Sequence, residues 1–150
     1  MEAPEIGSLL PWGPPFLMID RMIECAPGER IVTEKRVTAG DSVASHDEER
    51  GSWFPGVLLL EGMSQSAALL FRLSYVDSPA RLPMLGYLQA SLHRSATPGD
   101  SIRFEVSSVK MTGTGGVFEA LARVGEAVLA EAQLAFSAGD EEAGAEGPAS

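Results

Sequence analysis

A carboxylate and a carboxamide lie one helical turn apart on an apolar segment of this chain. They are Glu61 and Gln65, and the segment follows a Pro55-Gly56 turn. A helix is indicated by the spacing of its apolar residues, which are Val57, Leu58, Leu60, Met63, Ala67 and Ala68. On such a mostly buried helix a glutamate must be ion-paired, hydrogen-bonded or protonated, because burying a bare carboxylate is costly. Glu61 therefore suits general acid–base catalysis near neutral pH, or alternatively a helix-surface position at a subunit contact.

The other reactive side chains carry weaker signals. Cys25, the single cysteine, lies in a strand-like stretch and is interpreted as a small core residue rather than a nucleophile. Ser64 is predicted in mid-helix and lacks the closing glycine of a nucleophile elbow. His93 lies in a predicted strand and is interpreted as structural or, with Arg94, as part of a docking surface. No group of His, Cys, Asp and Glu has the spacing of metal ligands, so no metal is expected.

Composition narrows the class of protein. The chain has 150 residues, of which 45% are hydrophobic, and this predicts one domain with a single core. No apolar run approaches the roughly 20 residues of a membrane span. Acidic Glu2 and Glu5 precede the first apolar stretches, so no secretory signal is expected, and one cysteine suits a reducing cytoplasm. The net charge of −10, without a basic stripe, argues against nucleic-acid binding.

Alternating patterns and turn residues predict several strands around one long helix. Strands are predicted over 16–25, 30–38, 84–94, 101–111, 117–124 and 128–136, and the helix over 56–75. Residues 41–52 are predicted to be a polar loop, and the glycine cluster at 113–116 a hairpin turn rather than a phosphate cradle. The folded domain is expected over 1–137. The acidic segment 138–150 is expected to be a disordered tail.

These elements favour an α+β architecture in which a twisted antiparallel sheet wraps the central helix. One sheet covers a helix on one side only. The remaining apolar surface is therefore expected to be buried in a dimer.

Four motifs in a fixed order resemble a known family. They are Leu9-Leu10-Pro11, Pro15-Phe16-Leu17-Met18-Ile19-Asp20-Arg21, Pro55-Gly56-Val57-Leu58-Leu59-Leu60-Glu61-Gly62-Met63-Ser64-Gln65 and Thr97-Pro98-Gly99-Asp100. Together they resemble the hot-dog-fold 3-hydroxyacyl-[acyl-carrier-protein] dehydratases of type II fatty acid synthesis, over roughly residues 7–137. The helix motif combined with the Pro-Phe-Leu-x-x-Asp-Arg strand is the most specific part of the resemblance.

The resemblance implies a hydro-lyase with a two-residue site. Carried onto this chain, His46 removes a C2 proton from the 3-hydroxyacyl thioester, and Glu61 of the other subunit helps the 3-hydroxyl leave as water. The thioester oxygen is held at the helix start by the N–H of Gly56, beside Val57. A helix N-terminus offers free N–H groups and partial positive charge to an enolate, and glycine permits close approach. Gln65 is expected to orient the Glu61 carboxylate.

The loop around His46 departs from the family pattern. It reads Ser45-His46-Asp47-Glu48-Glu49-Arg50-Gly51-Ser52 in place of Gly-His-Phe-Pro-Gly, and His46 stands fifteen residues before Glu61, one more than usual. Trp53 and Phe54 are candidates to replace the lost aromatic residue. Three functions stay open: an active dehydratase in fatty acid or polyketide assembly, a non-catalytic subunit paired with an active homologue, and a thioesterase using a carboxylate and a water.

The resemblance also implies the form of the substrate. The acyl chain is expected on the phosphopantetheine of an acyl carrier protein, with no other cofactor, in a tunnel between subunits lined by Trp53, Phe54 and Phe16. A homodimer or higher oligomer is expected, or a heterodimer with a related hot-dog subunit. Carrier proteins of these pathways are acidic, so docking requires a local basic patch on this acidic chain. Arg81, Arg94 and Arg103 are the candidates for that patch.

Overall fold

A long helix packed against an antiparallel sheet forms the body of the protein. The computed structural model describes residues 1–13, 16–39, 45–48, 51–76 and 81–140, without the side chains of 45–47, 52, 81–82 and 138–140. In chain order the elements are α1 (Ala3–Leu9), β1 (Arg21–Ala26), β2 (Arg30–Arg36), β3 (Ser45–Asp47), β4 (Gly51–Trp53), α2 (Gly56–Ser74), β5 (Arg81–Leu92), β6 (Ser101–Thr112), β7 (Gly115–Val124) and β8 (Ala127–Asp140).

The main sheet has six strands in the order β1-β2-β6-β7-β8-β5. Every neighbouring pair is antiparallel, and β6, β7 and β8 follow one another through tight turns. Strands β3 and β4 form a separate two-stranded hairpin directly before α2. This α+β arrangement, with one long helix on a wrapping sheet, is the hot-dog architecture that the sequence predicts.

The core lies between α2 and the inner face of the sheet. Fully or almost fully buried side chains of α2 meet those of the strands, and the largest are Ile31, Leu59, Met63, Leu69, Leu70, Phe71, Ile102, Phe104 and Phe118. Gly62 brings the helix close to β6, since a Cβ built on Gly62 would lie 2.2 Å from Cζ of Phe104. The glycine thus sets the distance between helix and sheet at the level of Glu61.

We expect Gly62→Ala to lower the free energy of unfolding by about 1–3 kcal/mol, because the new methyl group must displace a buried phenyl ring. Equilibrium denaturation by urea measures the change. Gly7→Ala is the matched control, since Gly7 is also helical and its Cβ would approach nothing closer than 3.9 Å. That control should be neutral or stabilising by up to about 1 kcal/mol, as helix propensity predicts. Equal losses in both variants would show that the ring contact does not limit the packing.

A short N-terminal helix packs on α2. The amide of Glu2 donates to the Glu5 carboxylate at 3.2 Å, which caps the start of α1, and Ile6 is fully buried. Arg72 Nε donates to the carbonyl of Leu9 at 3.3 Å and ties the end of α1 to α2. The contacts that hold α1 are therefore tertiary as well as local.

The two edges of the sheet differ in chemistry. Edge strand β1 carries ion pairs of Arg21 with Glu34 and of Arg30 with Glu24. Edge strand β5 instead exposes large apolar side chains, namely Met84, Leu85, Tyr87, Leu88 and Leu92. A charged edge such as that of β1 resists pairing with another sheet, whereas a long apolar edge such as that of β5 favours pairing.

The structure confirms the fold class and most of the predicted elements, and it changes several bounds. Strand β1 begins at Arg21 rather than at 16, and α1 was not predicted. The polar loop predicted over 41–52 contains the β3–β4 hairpin. Strand β8 runs to Asp140, beyond the predicted domain end at 137, and the rest of the predicted tail lies outside the described residues.

The described part of the chain lacks two further kinds of feature. No helix there is long and apolar enough to cross a membrane. Within the same residues, no group of three or more His, Cys, Asp and Glu side chains is arranged to hold a metal ion.

Candidate active site

Gln65 connects the helix carboxylate to the loop before β1. Its side chain is completely buried. Its Nε2 donates to Oε1 of Glu61 at 3.0 Å and to the carbonyl of Phe16 at 2.8 Å, while its Oε1 accepts from the amide of Met18 at 2.7 Å. Both N–H donors and the carbonyl of the amide are thereby used. The predicted contact with Glu61 is present, and the same side chain also fixes the loop.

Glu61 is held at one oxygen and open at the other. The carboxylate is partly buried rather than enclosed, so the single chain exposes more of it than the apolar helix pattern suggests. Oε1 accepts the hydrogen bond from Gln65, and among the described residues nothing donates to Oε2 and no cation pairs with Glu61. An oriented carboxyl group with one free oxygen can exchange a proton with a bound ligand.

The first turn of α2 presents free amide groups. Pro55 occupies the N-cap position and supplies no side-chain acceptor. The amide of Leu58 donates to the carbonyl of Pro55 at 2.9 Å, but the amides of Gly56 and Val57 have no acceptor within the described chain. Free N–H groups and the helix dipole together favour a negatively charged oxygen at this point. The donors expected for the thioester oxygen are thus available.

The start of α2 is anchored to the sheet on two sides. Phe54 forms an isolated bridge with Ala96, with its amide donating to that carbonyl at 2.8 Å, and both residues are fully buried. On the other side, Leu92 at the end of β5 lies against Gly56. Sequence reasoning did not identify Leu92, because nothing in the strand pattern shows that it meets the helix.

His46 lies on the hairpin that leads into α2. In the β3–β4 pairing its backbone is opposite Ser52, and Ser45 is opposite Trp53. The hairpin therefore carries His46 back alongside the residues that directly precede α2. Its side chain lies outside the described atoms, so its role as the base stays a prediction.

The three aromatic residues predicted to line the acyl slot are in different environments. The ring of Phe16 is 69% exposed, next to the carbonyl that Gln65 holds. Trp53 is partly buried at the end of β4. Phe54 is fully buried and belongs to the core. In the single chain Phe16 offers a surface to a substrate, whereas the ring of Phe54 does not.

Comparison with known proteins assigns the chain to a family. The model of the FabA-like domain matches residues 10–133, which include α2 and most of the sheet. The chain belongs to the FabA-like family. The match covers Glu61, Gln65 and Gly56, and it also covers His46, whose catalytic role stays a prediction.

Curated relatives of this FabA-like chain are dehydratases by name. The 3-hydroxyacyl-[acyl-carrier-protein] dehydratase FabZ of Symbiobacterium thermophilum is 38% identical over 130 residues, which is 86% of this chain and 91% of that protein. The FabZ of Desulforamulus reducens is also 38% identical, over 89% of this chain and 94% of its own length. The resemblance noted in the sequence motifs is thereby confirmed.

A solved structure supports the hot-dog fold of the FabA-like chain. It is the dehydratase heterocomplex ApeI:P from Xenorhabdus doucetiae, which matches with a TM-score of 0.77 and covers 91% of this chain and 92% of that one. Only 14% of the aligned residues are identical, so this similarity shows the fold alone.

Two other reactive residues of the FabA-like chain lie outside α2. His93 Nε2 is 3.0 Å from Oε2 of Glu131 in an exposed pair, and its amide donates to the carbonyl of Leu129. Cys25 is partly buried in β1, where desolvation raises the pKa of its thiol and so reduces its thiolate content at neutral pH. The partial burial of Cys25 agrees with the structural role predicted for it, while the exposed pair of His93 leaves open both roles predicted for that residue, structural or docking.

The three arginines predicted to form a docking patch are not contiguous in one chain. Arg94 follows β5, and its amide reaches the carbonyl of Leu129 on β8, while Arg103 lies on β6 opposite Arg123 of β7. Arg81 is the first residue of β5, and its backbone lies opposite that of Asp140 on β8. It therefore lies about 35 Å along the strand from the end near Arg94. The predicted patch is wrong for Arg81 within a single chain, and Arg94 and Arg103 remain.

Proposed function

We propose that this protein dehydrates 3-hydroxyacyl thioesters carried on acyl carrier protein to trans-2-enoyl thioesters in fatty acid biosynthesis. The observation that carries the proposal is the side chain of Gln65, which donates to the carboxylate of Glu61 at 3.0 Å on a helix whose first two amides have no acceptor among the described residues. A proton-transfer group and an oxyanion site thus belong to one rigid element. Curated dehydratases at 38% identity over most of their length support the same reaction.

Each part of the reaction has a group suited to it. His46 takes the C2 proton, and the negative charge that develops on the thioester oxygen is stabilised by the amide of Gly56 at the helix start. Glu61 gives a proton to the 3-hydroxyl group, which leaves as water while the double bond forms between C2 and C3. One proton is taken and one is given, so the net products are the enoyl thioester and one water. Gln65 keeps the carboxyl group in place throughout.

The site is completed by a second copy of the chain. The leucines of β5 at positions 85, 88 and 92 lie opposite the inward-facing Phe136, Leu134 and Ala130 of β8, which places them on the helix side of the sheet. They extend past the cover that α2 provides and remain exposed. Pairing two β5 edges would continue the sheet and bury these leucines against the other copy. The hairpin with His46 would then meet Glu61 of the other copy.

We expect the purified protein to be a dimer or a multiple of a dimer at micromolar concentration, and multi-angle light scattering measures its mass. Leu88→Lys should shift the population towards monomer, because a charge would replace an apolar contact at the edge. Val109→Lys is the matched control, since Val109 is similarly apolar and exposed but lies on β6. A monodisperse wild-type monomer would contradict the composite site.

The dehydration assay separates the candidate functions. Purified protein is mixed with a 3-hydroxyacyl thioester of acyl carrier protein, and mass spectrometry follows loss of water from the acyl group. Formation of the enoyl thioester is the expected result. Release of a free hydroxy acid would indicate a thioesterase, and absence of any product would indicate a non-catalytic subunit that needs an active homologue.

The substrate is delivered on a phosphopantetheine arm, and no further cofactor takes part in the proposed chemistry. Exposed Arg94 and Arg103 make no ion pair with described residues, so their charge is available to an acidic carrier protein. Arg103 on β6 is opposite Arg123 on β7, and Arg123 forms an ion pair with Glu105 at 3.0 Å. This end of the sheet lies near the start of α2, where the thioester must be placed.

We expect the double variant Arg94→Glu/Arg103→Glu to lower kcat/KM for carrier-bound substrate by at least about tenfold at low salt, since like charge slows encounter. Activity on a short free thioester should stay unchanged. Lys110→Glu is the control for net charge, because Lys110 is exposed near the β6–β7 turn. Equal losses on both substrates would show that the arginines support the fold or the site rather than carrier docking.

A further inference from the structure

The position that a side chain would take at Gly56 is already filled by the side chain of Leu92. A Cβ built on Gly56 would lie 2.9 Å from Cδ1 of Leu92 and 3.8 Å from its Cγ and Cδ2. Leu92 is the last residue of β5, and the next residue is held by a hydrogen bond from its amide to the carbonyl of Leu129 at 2.8 Å. The position of the leucine beside the helix start is therefore set by the sheet.

We propose that Leu92 is a positioning residue of the thioester site, which fills the place of a side chain at Gly56 and confines the thioester to the amide side of the helix start. This inference rests on the dehydratase function proposed above. The proposal gives a different explanation for why residue 56 is a glycine. The sequence suggests that Gly56 makes room for the substrate, whereas the structure shows that the room at its Cα is taken by Leu92.

The chemistry of the contact supports this role. Leu92 is 53% exposed in the single chain, so one part of its isobutyl group packs on Gly56 and another part faces outward beside the helix start. An apolar wall beside an unpaired N–H excludes water from the place where the oxyanion develops, and a hydrogen bond is stronger in such a setting. The wall also removes one direction in which the thioester could shift, and misplacement of reacting atoms by about 1 Å can cost 100-fold in rate.

The contact makes a specific prediction for the substitution of Gly56. The methyl group of Gly56→Ala would meet the far end of a half-exposed side chain, so Leu92 can move aside at little cost in stability. If the resulting loss of activity comes from displacing Leu92, it should vanish when Leu92 is already truncated. If it comes from a direct clash with the thioester, it should persist.

A double-mutant cycle distinguishes the two explanations. We expect Leu92→Ala and Gly56→Ala each to lower kcat by at least about tenfold with little change in KM, and the double variant to be no slower than the slower single variant. The losses should be the same for a four-carbon and a longer acyl chain, because Leu92 acts at the thioester end. Leu92→Met should keep most of the activity by keeping most of the side-chain volume.

Controls separate positioning from damage to the protein. Val109→Ala removes an exposed apolar side chain at a distant site on β6 and should leave kcat unchanged. Light scattering and melting temperature verify that each variant keeps the assembly of the wild type. If Leu92→Ala loses that assembly, the activity of Leu92→Met, which should stay close to that of the wild type, remains as the test. Losses that multiply in the double variant, or that disappear with the four-carbon substrate, would overturn the inference while leaving the dehydratase function intact. A wild-type protein without turnover would overturn the function and the inference together.

Discussion

Replacing Glu61 by glutamine lowers the dehydration rate by at least about 100-fold, the smallest effect expected when a general acid is removed. The fold should be retained, because the new amide oxygen can still accept the hydrogen bond that Gln65 donates to Oε1 at 3.0 Å. What is lost is the proton for the leaving hydroxyl. The kcat measured with a 3-hydroxyacyl thioester of acyl carrier protein tests this expectation.

Glu119→Gln is the matched control for Glu61→Gln. Glu119 is an exposed carboxylate on β7, and no described ion pair involves it. Its substitution removes the same charge without touching α2 and should leave kcat within about twofold, as a surface change does. If Glu61→Gln kept the activity of the wild type, Glu61 would be a structural residue.

His46→Ala abolishes dehydration, because no other group near the hairpin is proposed to take the C2 proton. We expect the mass of the assembly to stay the same and the melting temperature to change by no more than a few degrees, which corresponds to less than about 1 kcal/mol. The rate of enoyl thioester formation and the exchange of C2 hydrogen for solvent deuterium both report the loss.

The second histidine provides the control for the first. His93 lies in an exposed pair with Glu131, so His93→Ala should retain both turnover and exchange. Deuterium exchange that survives in His46→Ala would show that a different group is the base. A combined loss in both histidine variants would point to a general requirement for histidine charge rather than to catalysis by His46.

Local sequence patterns were sufficient to predict the elements that are determined by residues close together in the chain. The alternation of apolar residues predicts β6 and β7, and the helical spacing predicts α2 to within one residue of its observed end. The contact between Gln65 and Glu61 also follows from spacing, because residues four apart share a helix face. Family motifs then extend these predictions to the site.

Contacts between distant segments lie beyond such patterns. α1 contains Pro4 and Gly7, which give little helical signal, and it is held by the burial of Ile6 and by Arg72 of α2. The β3–β4 hairpin is too short and too polar to show alternation. Gln65 binds the backbone of Phe16 and Met18, and Leu92 packs on Gly56, only because the fold brings these segments together.

The most direct test is deuterium exchange and turnover by the purified protein alone, with no other dehydratase subunit present. A 3-hydroxyacyl thioester of acyl carrier protein is incubated in deuterated buffer with wild type and with Glu61→Gln, and mass spectrometry follows both water loss and deuterium at C2. We expect enoyl thioester and C2 exchange with the wild type, and a rate of water loss at least about 100-fold lower with Glu61→Gln. A folded dimeric wild type that gives neither product nor exchange would contradict this expectation.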